Sequence, residues 1–405
     1  MLGLLRAAYL LKGVWAILAA LLVGSVLIQL GESNPIEAYT ALFSGAFFEY
    51  YGFATTLVKM SPMLLAGLAV AVPLRAGQFN IGAEGQIYLG ALFATWAALY
   101  LPEVLPGWLH IIICSLAGMI GGGLWGLIPG YLKAYHDVNE VIVTLLMNYI
   151  GINLVSYFVS GPMLAEGAPY PYSDEIREAL WLPYILPSTD AHLGVVIGIV
   201  FAIVLYFAFK RTSLGLSLAT VGHNPAAARY AGMSVRRHII LSLAFGGALA
   251  GLAGAYEVLG LKYRLFHMFS AGYGFDGIVV ALLAEGNPLL VAVAALFLGG
   301  LRSGANIMQR AVGVPTTVVE AIQGLVVIFV AASVAFRFEN SYLAAAWRRR
   351  KAVDAALATE RQEARRGKAG PPCWTFCSIP PCSATSCRPR SGCRSRSSSP
   401  PLAGC

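Results

Sequence analysis

Apolar runs of about 17 to 25 residues recur along the chain as far as residue 336, and that is the length a helix needs to cross about 30 Å of hydrocarbon. Such runs leave a water-soluble fold no polar face to turn outward. In lipid the backbone has no water to bond to, so each run must satisfy its own N–H and C=O groups as a helix. Composition agrees: 58% of the 405 residues are hydrophobic and 12% are charged, about half the charged share of an ordinary soluble domain.

The runs fall at 13–30, 54–74, 81–100, 109–132, 141–160, 193–209, 239–261, 275–284, 289–301 and 317–336. The expected fold is therefore all-α and integral to the membrane: a polytopic helical bundle of about ten transmembrane helices, eight to ten depending on two short runs. Those two, 275–284 and 289–301, flank Glu285-Gly286-Asn287-Pro288, which reads as a turn or as the tip of a re-entrant pair. The first run follows Arg6 and Lys12 but is too long for the apolar core of a secretory signal, so it reads as a retained span.

Charge orients the bundle, because short loops rich in Lys and Arg remain in the cytoplasm. The loop 210–238 holds Lys210, Arg211, Arg229, Arg236 and Arg237 with no acid, and 348–368 has eight basic against three acidic residues. The loop 161–192 has five acids, Glu166, Asp174, Glu175, Glu178 and Asp190, against Arg177, and is expected outside. An even count of crossings places both termini in the cytoplasm, with the chain multi-pass in the cytoplasmic (inner) membrane. Lys262 and Arg264 fall on the outer side, against the rule. The net charge of +8 sits at the ends of the runs, where this bias accounts for it, so no nucleic-acid partner is implied.

Three segments follow: a transmembrane domain over 1–345, a basic cytoplasmic segment over 346–368, and a low-complexity Cys/Ser/Pro/Arg tail over 369–405. Six of the seven cysteines, Cys373, Cys377, Cys382, Cys387, Cys393 and Cys405, crowd into that tail. They lack the paired Cys-x2-Cys spacing of a zinc site and have no His among them, so no metal is expected. Beside a cytoplasmic segment their thiols stay reduced. The tail reads as disordered, or as the product of translation out of frame, which the coding nucleotide sequence distinguishes.

Between the second and third runs lies Arg75-Ala76-Gly77-Gln78-Phe79-Asn80-Ile81-Gly82-Ala83-Glu84-Gly85-Gln86. Its glycines allow close backbone approach, and Asn80, Glu84 and Gln86 can hydrogen-bond inside the bundle. A carboxylate at membrane depth is costly, so Glu84 needs a partner or a watery path. These groups line a substrate pathway, or they fasten helices together. Asn148 and Tyr149 in the fifth run present the same choice. Gly121-Gly122-Gly123 and the small residues of 246–254 mark tight helix packing. In the basic loop, Asn224 suits a helix cap and Pro225 the first helical position, so 225–231 reads as a short helix with a small-residue face.

The string 75–86 resembles the signature of the nucleoside-type branch of the branched-chain amino acid and simple-sugar permease family, the membrane subunits of bacterial ABC importers. Val138-Asn139-Glu140-Val141-Ile142, Leu146-Met147-Asn148-Tyr149-Ile150 and the string Gly222 to Gly232 support it, and the likeness spans roughly residues 10 to 345. It implies a permease subunit that moves nucleosides or related simple sugars. It also implies an ABC ATP-binding subunit, a second permease subunit and an extracytoplasmic substrate-binding lipoprotein as partners. Asn224, Pro225, Ala226, Ala227, Ala228, Arg229, Tyr230, Ala231 and Gly232 would then be the coupling helix that meets the ATPase.

The chain has no G-x-x-x-x-G-K-[ST] loop, so ATP is expected on the partner and no cofactor on this chain. Two other classes compete. An ion-coupled secondary transporter would need intramembrane acids arranged as ion sites in two repeats, and Glu84, Glu140 and Glu285 are its candidates. A membrane-embedded enzyme would need a convergent catalytic cluster, and the six scattered histidines supply none.

Overall fold

The structure is a computed structural model that describes residues 17–31, 33–101, 106–326 and 328–329. The basic segment 346–368, the tail 369–405 and the end of the transmembrane domain at 345 lie outside the described residues. Thirteen helices are described: α1 (Ile17–Leu30), α2 (Pro35–Phe47), α3 (Tyr50–Arg75), α4 (Ala83–Tyr100), α5 (Gly107–His136), α6 (Glu140–Ser160), α7 (Gly194–Arg211), α8 (Ser213–His223), α9 (Pro225–Tyr230), α10 (Val235–Glu257), α11 (Tyr273–Leu283), α12 (Pro288–Val312) and α13 (Thr316–Val326). Among the described residues there is no strand, only the isolated bridges Tyr172–Phe266 and Tyr184–His192.

Among the described residues six helices are long and apolar enough to cross a membrane: α3, α5, α6, α7, α12, and α10 together with the π turn Val258–Lys262 that extends it. α4 has 18 residues and is buried along most of its length, with the polar Glu84 and Gln86 in its first turns. α11 has 11 residues, which at 1.5 Å per residue is about 16 Å and half of a crossing. The tight turn after it holds Glu285 at φ 50° and Gly286 at φ 70°, and Asn287 then caps α12 by accepting from Leu289 N at 3.2 Å.

Two departures from the hydropathy pattern have physical causes. The run 289–301 ends at Arg302, yet α12 continues through it to Val312, because the guanidinium is turned onto Asp276 of α11 rather than into lipid. The sequence pattern also lacks α2 and α8. Both are short helices started by capping side chains: Asn34 accepts from Ile36 N at 3.0 Å, and Thr212 accepts from Gly215 N at 3.3 Å.

The centre of the bundle is α10 packed on α5 and α4. A Cβ on Gly251 would lie 2.2 Å from the Gly118 carbonyl oxygen, and one on Gly122 would lie 2.3 Å from that of Gly247. Backbone therefore meets backbone, as the small-residue runs foretold.

The segment 161–193 folds over the end of α10. Ser173 N donates to Leu265 O at 3.0 Å, Ile176 N to Tyr263 O at 2.8 Å, and Leu182 N to Leu259 O at 3.0 Å. Trp181 stacks on Tyr263 with ring centroids 4.0 Å apart. Arg264, which broke the charge rule, is ion-paired with Glu175 of this acidic segment.

Candidate functional site

The turn between α3 and α4 carries the first group of expected site residues. Asn80 and Gln86 pair through their amides, with Asn80 Nδ2 donating at 2.9 Å and Gln86 Nε2 donating back at 3.3 Å. Asn148 of α6 accepts from Gly85 N at 2.8 Å and donates to Ile81 O at 2.9 Å. Glu84, 3% exposed, accepts from Gly274 N at 2.6 Å. Asn80, Glu84, Gln86 and Asn148 are thus brought together as a buried lattice that joins α4, α6 and α11. Tyr149 does not join them. It lies about 100° further round α6 than Asn148 and is 62% exposed.

A second polar group, not singled out in the sequence, lies between α3, α10, α11 and α12. Lys59 Nζ donates to the Tyr273 hydroxyl at 3.1 Å. Arg302 Nη1 pairs with Asp276 Oδ2 at 2.8 Å, Nη2 donates to Ala271 O at 2.7 Å, and the guanidinium lies 5.3 Å from the Tyr273 ring centroid. Glu257 ends α10 directly before the π turn and is 2% exposed. Neither of its oxygens has a hydrogen-bond partner among the described residues, and the positive charges of Lys262, Lys59 and Arg302 act on it. Helical π turns often mark functional positions.

Two cavities flank this group. One of about 240 Å³ is lined by Lys59, Arg302, Asn306, Thr316, Glu320 and Gln323 among others. The other, of about 500 Å³, reaches the segment 161–193 and is lined in part by Tyr51, Lys59, Thr189, Asp190, Lys262 and Asn306. Lys59 and Asn306 line both. A lysine inside the apolar run 54–74 and an arginine ending the run 289–301 were the signals available in the sequence. The two charges lie on different helices, and only the fold gathers them.

The loop 210–238 folds as α8, α9 and the start of α10. Asn224 Oδ1 accepts from Ala226 N and Ala227 N, each at 3.1 Å, and Pro225 takes the first helical position. Ala228 is buried with Val221 and Val235, which pins α9 to the body. Pro225, Ala226, Ala227, Arg229 and Ala231 are exposed, Tyr230 is 93% exposed, and Gly232 turns the chain at φ 79°. A helix held by one alanine thus presents a tyrosine that nothing among the described residues covers.

Several helices fit to cross a membrane, a charged interior bordered by two cavities, and an exposed helix at a basic loop define a multi-pass membrane transport protein. Residues 52–331 match the family described as branched-chain amino acid transport system / permease component, and the chain belongs to that family. It is 38% identical over 339 residues to the guanosine ABC transporter permease protein NupP of Bacillus subtilis, covering 82% of this chain and 96% of that protein. It is 38% identical over 336 residues to the glucose ABC transporter permease protein TsgB13 of Haloferax volcanii, covering 80% and 87%. The nucleoside ABC transporter permease protein NupB of Lactococcus lactis subsp. cremoris is 31% identical over 325 residues, covering 78% and 89%. The chain is a transport component rather than an enzyme.

Proposed function

We propose that this chain is the membrane-spanning permease subunit of an ABC importer that carries nucleosides across the cytoplasmic membrane. A separate subunit binds and hydrolyses ATP, a second permease completes the channel, and an extracytoplasmic lipoprotein delivers the solute. The observation that carries the reading is α9: a capped helix at the basic loop, with Tyr230 exposed, in a chain 38% identical to NupP along nearly all of that protein's length.

Force on α9 would pass through Ala228 into the Val221–Val235 contact and so to α8 and α10. α10 ends at Glu257 and the π turn, beside Lys59 and Arg302, so a push at the loop has a rigid path to the charged interior.

Both termini and the loop 210–238 face the cytoplasm in this reading, and the segment 161–193 faces outward. Two of the three relatives named above carry nucleoside or guanosine in their names and favour that substrate. TsgB13, at equal identity, favours a simple sugar as the second reading. Ala227→Trp, which enlarges the exposed face of α9, tests the coupling. The permease should stay inserted and monodisperse while its ATP-binding subunit is lost on purification in mild detergent. A complex that copurifies intact and still transports places the coupling contact elsewhere.

A further inference from the structure

We propose that the cavities sharing Lys59 and Asn306 are where this chain holds an uncharged, hydroxyl-rich solute, with Lys59, Asn306 and Gln323 supplying its hydrogen bonds. The inference rests on the transport reading above and adds to it the site and the chemistry that the site accepts.

Lys59 and Asn306 belong to the wall of the cavity under the segment 161–193 and also to the wall of the cavity beside α13. A solute moving from one to the other passes these two side chains. The larger cavity, about 500 Å³, falls within the usual range of about 300–1,000 Å³ for small-molecule sites.

The lining gives the chemistry. The smaller cavity offers Lys59, Arg302, Asn306, Thr316, Glu320 and Gln323, against three apolar residues, Ala271, Ala305 and Val319. An aliphatic side chain gains little there, and a set of hydroxyls finds donors and acceptors on most sides.

The acids among these cations disfavour an anion. Arg302 is already paired with Asp276 at 2.8 Å. Lys59 is fixed by the Tyr273 hydroxyl at 3.1 Å and lies in the field of Glu257. Lys262 shares its cavity with Asp190. An anion would therefore meet carboxylates as well as cations, Glu320 in the wall of the smaller cavity and Asp190 in that of the larger. An uncharged ligand meets no such repulsion.

Two measurements on the complete transporter test this. The first is uptake of labelled guanosine at limiting concentration by cells carrying Asn306→Ala or Gln323→Ala. Each variant should lose about tenfold, the effect of one hydrogen bond to an uncharged ligand, with membrane level and copurified ATP-binding subunit unchanged. Asn306→Gln should restore part of it. The second is saturation-transfer NMR on the purified permease complex with no binding protein added. Guanosine should show transfer to its ribose protons, GMP and leucine should not, and Asn306→Ala should weaken the guanosine signal. Wild-type uptake matched by both alanine variants overturns the site, and transfer to GMP or leucine equal to that of guanosine overturns the charge argument. If the wild-type transporter takes up neither a nucleoside nor glucose, the transport reading itself fails, and this inference with it.

Discussion

Glu84 accepts a hydrogen bond from the backbone amide of Gly274 at 2.6 Å, and this contact joins the first turn of α4 to the first turn of α11. A Cβ on Gly274 would lie 2.2 Å from Glu84 N, so the approach is open to glycine alone. A carboxylate between two helix N-termini meets their positive ends and satisfies an amide that has no partner within its own helix. The half-length helix α11 is anchored in the bundle at this point.

Removing the carboxylate leaves that amide buried and unpaired. Glu84→Ala should therefore destabilise the detergent-solubilised protein by about 1–3 kcal/mol, read as a lower unfolding temperature, and Glu84→Gln should recover most of the loss. Equal unfolding temperatures for wild type and Glu84→Ala would show that the contact contributes nothing.

Gly251 carries the backbone contact of α10 with α5. Gly251→Val would place its Cβ 2.2 Å from the Gly118 carbonyl oxygen, and overpacking of a backbone contact costs about 1–3 kcal/mol or more. The expected result is loss of the monodisperse peak in size-exclusion chromatography. Gly232→Val, at a position whose added Cβ meets nothing within 4 Å but whose φ is 79°, should strain only the exit from α9 and leave the peak in place. A normal peak for Gly251→Val would mean that α10 and α5 do not pack through this glycine.

Much of this was legible because it is local. An apolar run predicts its helix directly, and Asn224-Pro225 predicts the cap and first turn of α9, which form as expected with Asn224 accepting two amides. Glycine runs announced the close packing of α5 and α10. Polar groups inside the membrane were ambiguous, because the same amide serves a solute or a neighbouring helix. In the fold, Asn80, Gln86 and Asn148 bond to one another's segments. Lys59, Glu257, Arg302 and the α11 pair Tyr273 and Asp276 stand on four helices with no common spacing, so nothing in the sequence groups them. Arg302 misled in a second way: a charge ends an apolar run by composition, but here its partner Asp276 lets the helix continue.

Sidedness has its own test. Glu166→Cys in the segment 161–193 and Ser213→Cys at the start of α8 are both exposed positions. In a background without the seven native cysteines, an impermeant thiol reagent applied to intact cells should label the first and spare the second. Equal labelling, or the reverse, contradicts the orientation proposed from the basic loops.

In the proposed function energy enters this chain from an ATP-binding partner, and ATP-dependent uptake tests that most directly. Proteoliposomes would hold the chain with its ATP-binding subunit and second permease, with binding protein and labelled guanosine outside and ATP inside. Accumulation should require hydrolysable ATP, stop with a non-hydrolysable analogue, and persist when ionophores collapse the proton and sodium gradients. Accumulation that proceeds without ATP and vanishes with the ion gradients would contradict the account and make the chain an ion-coupled transporter.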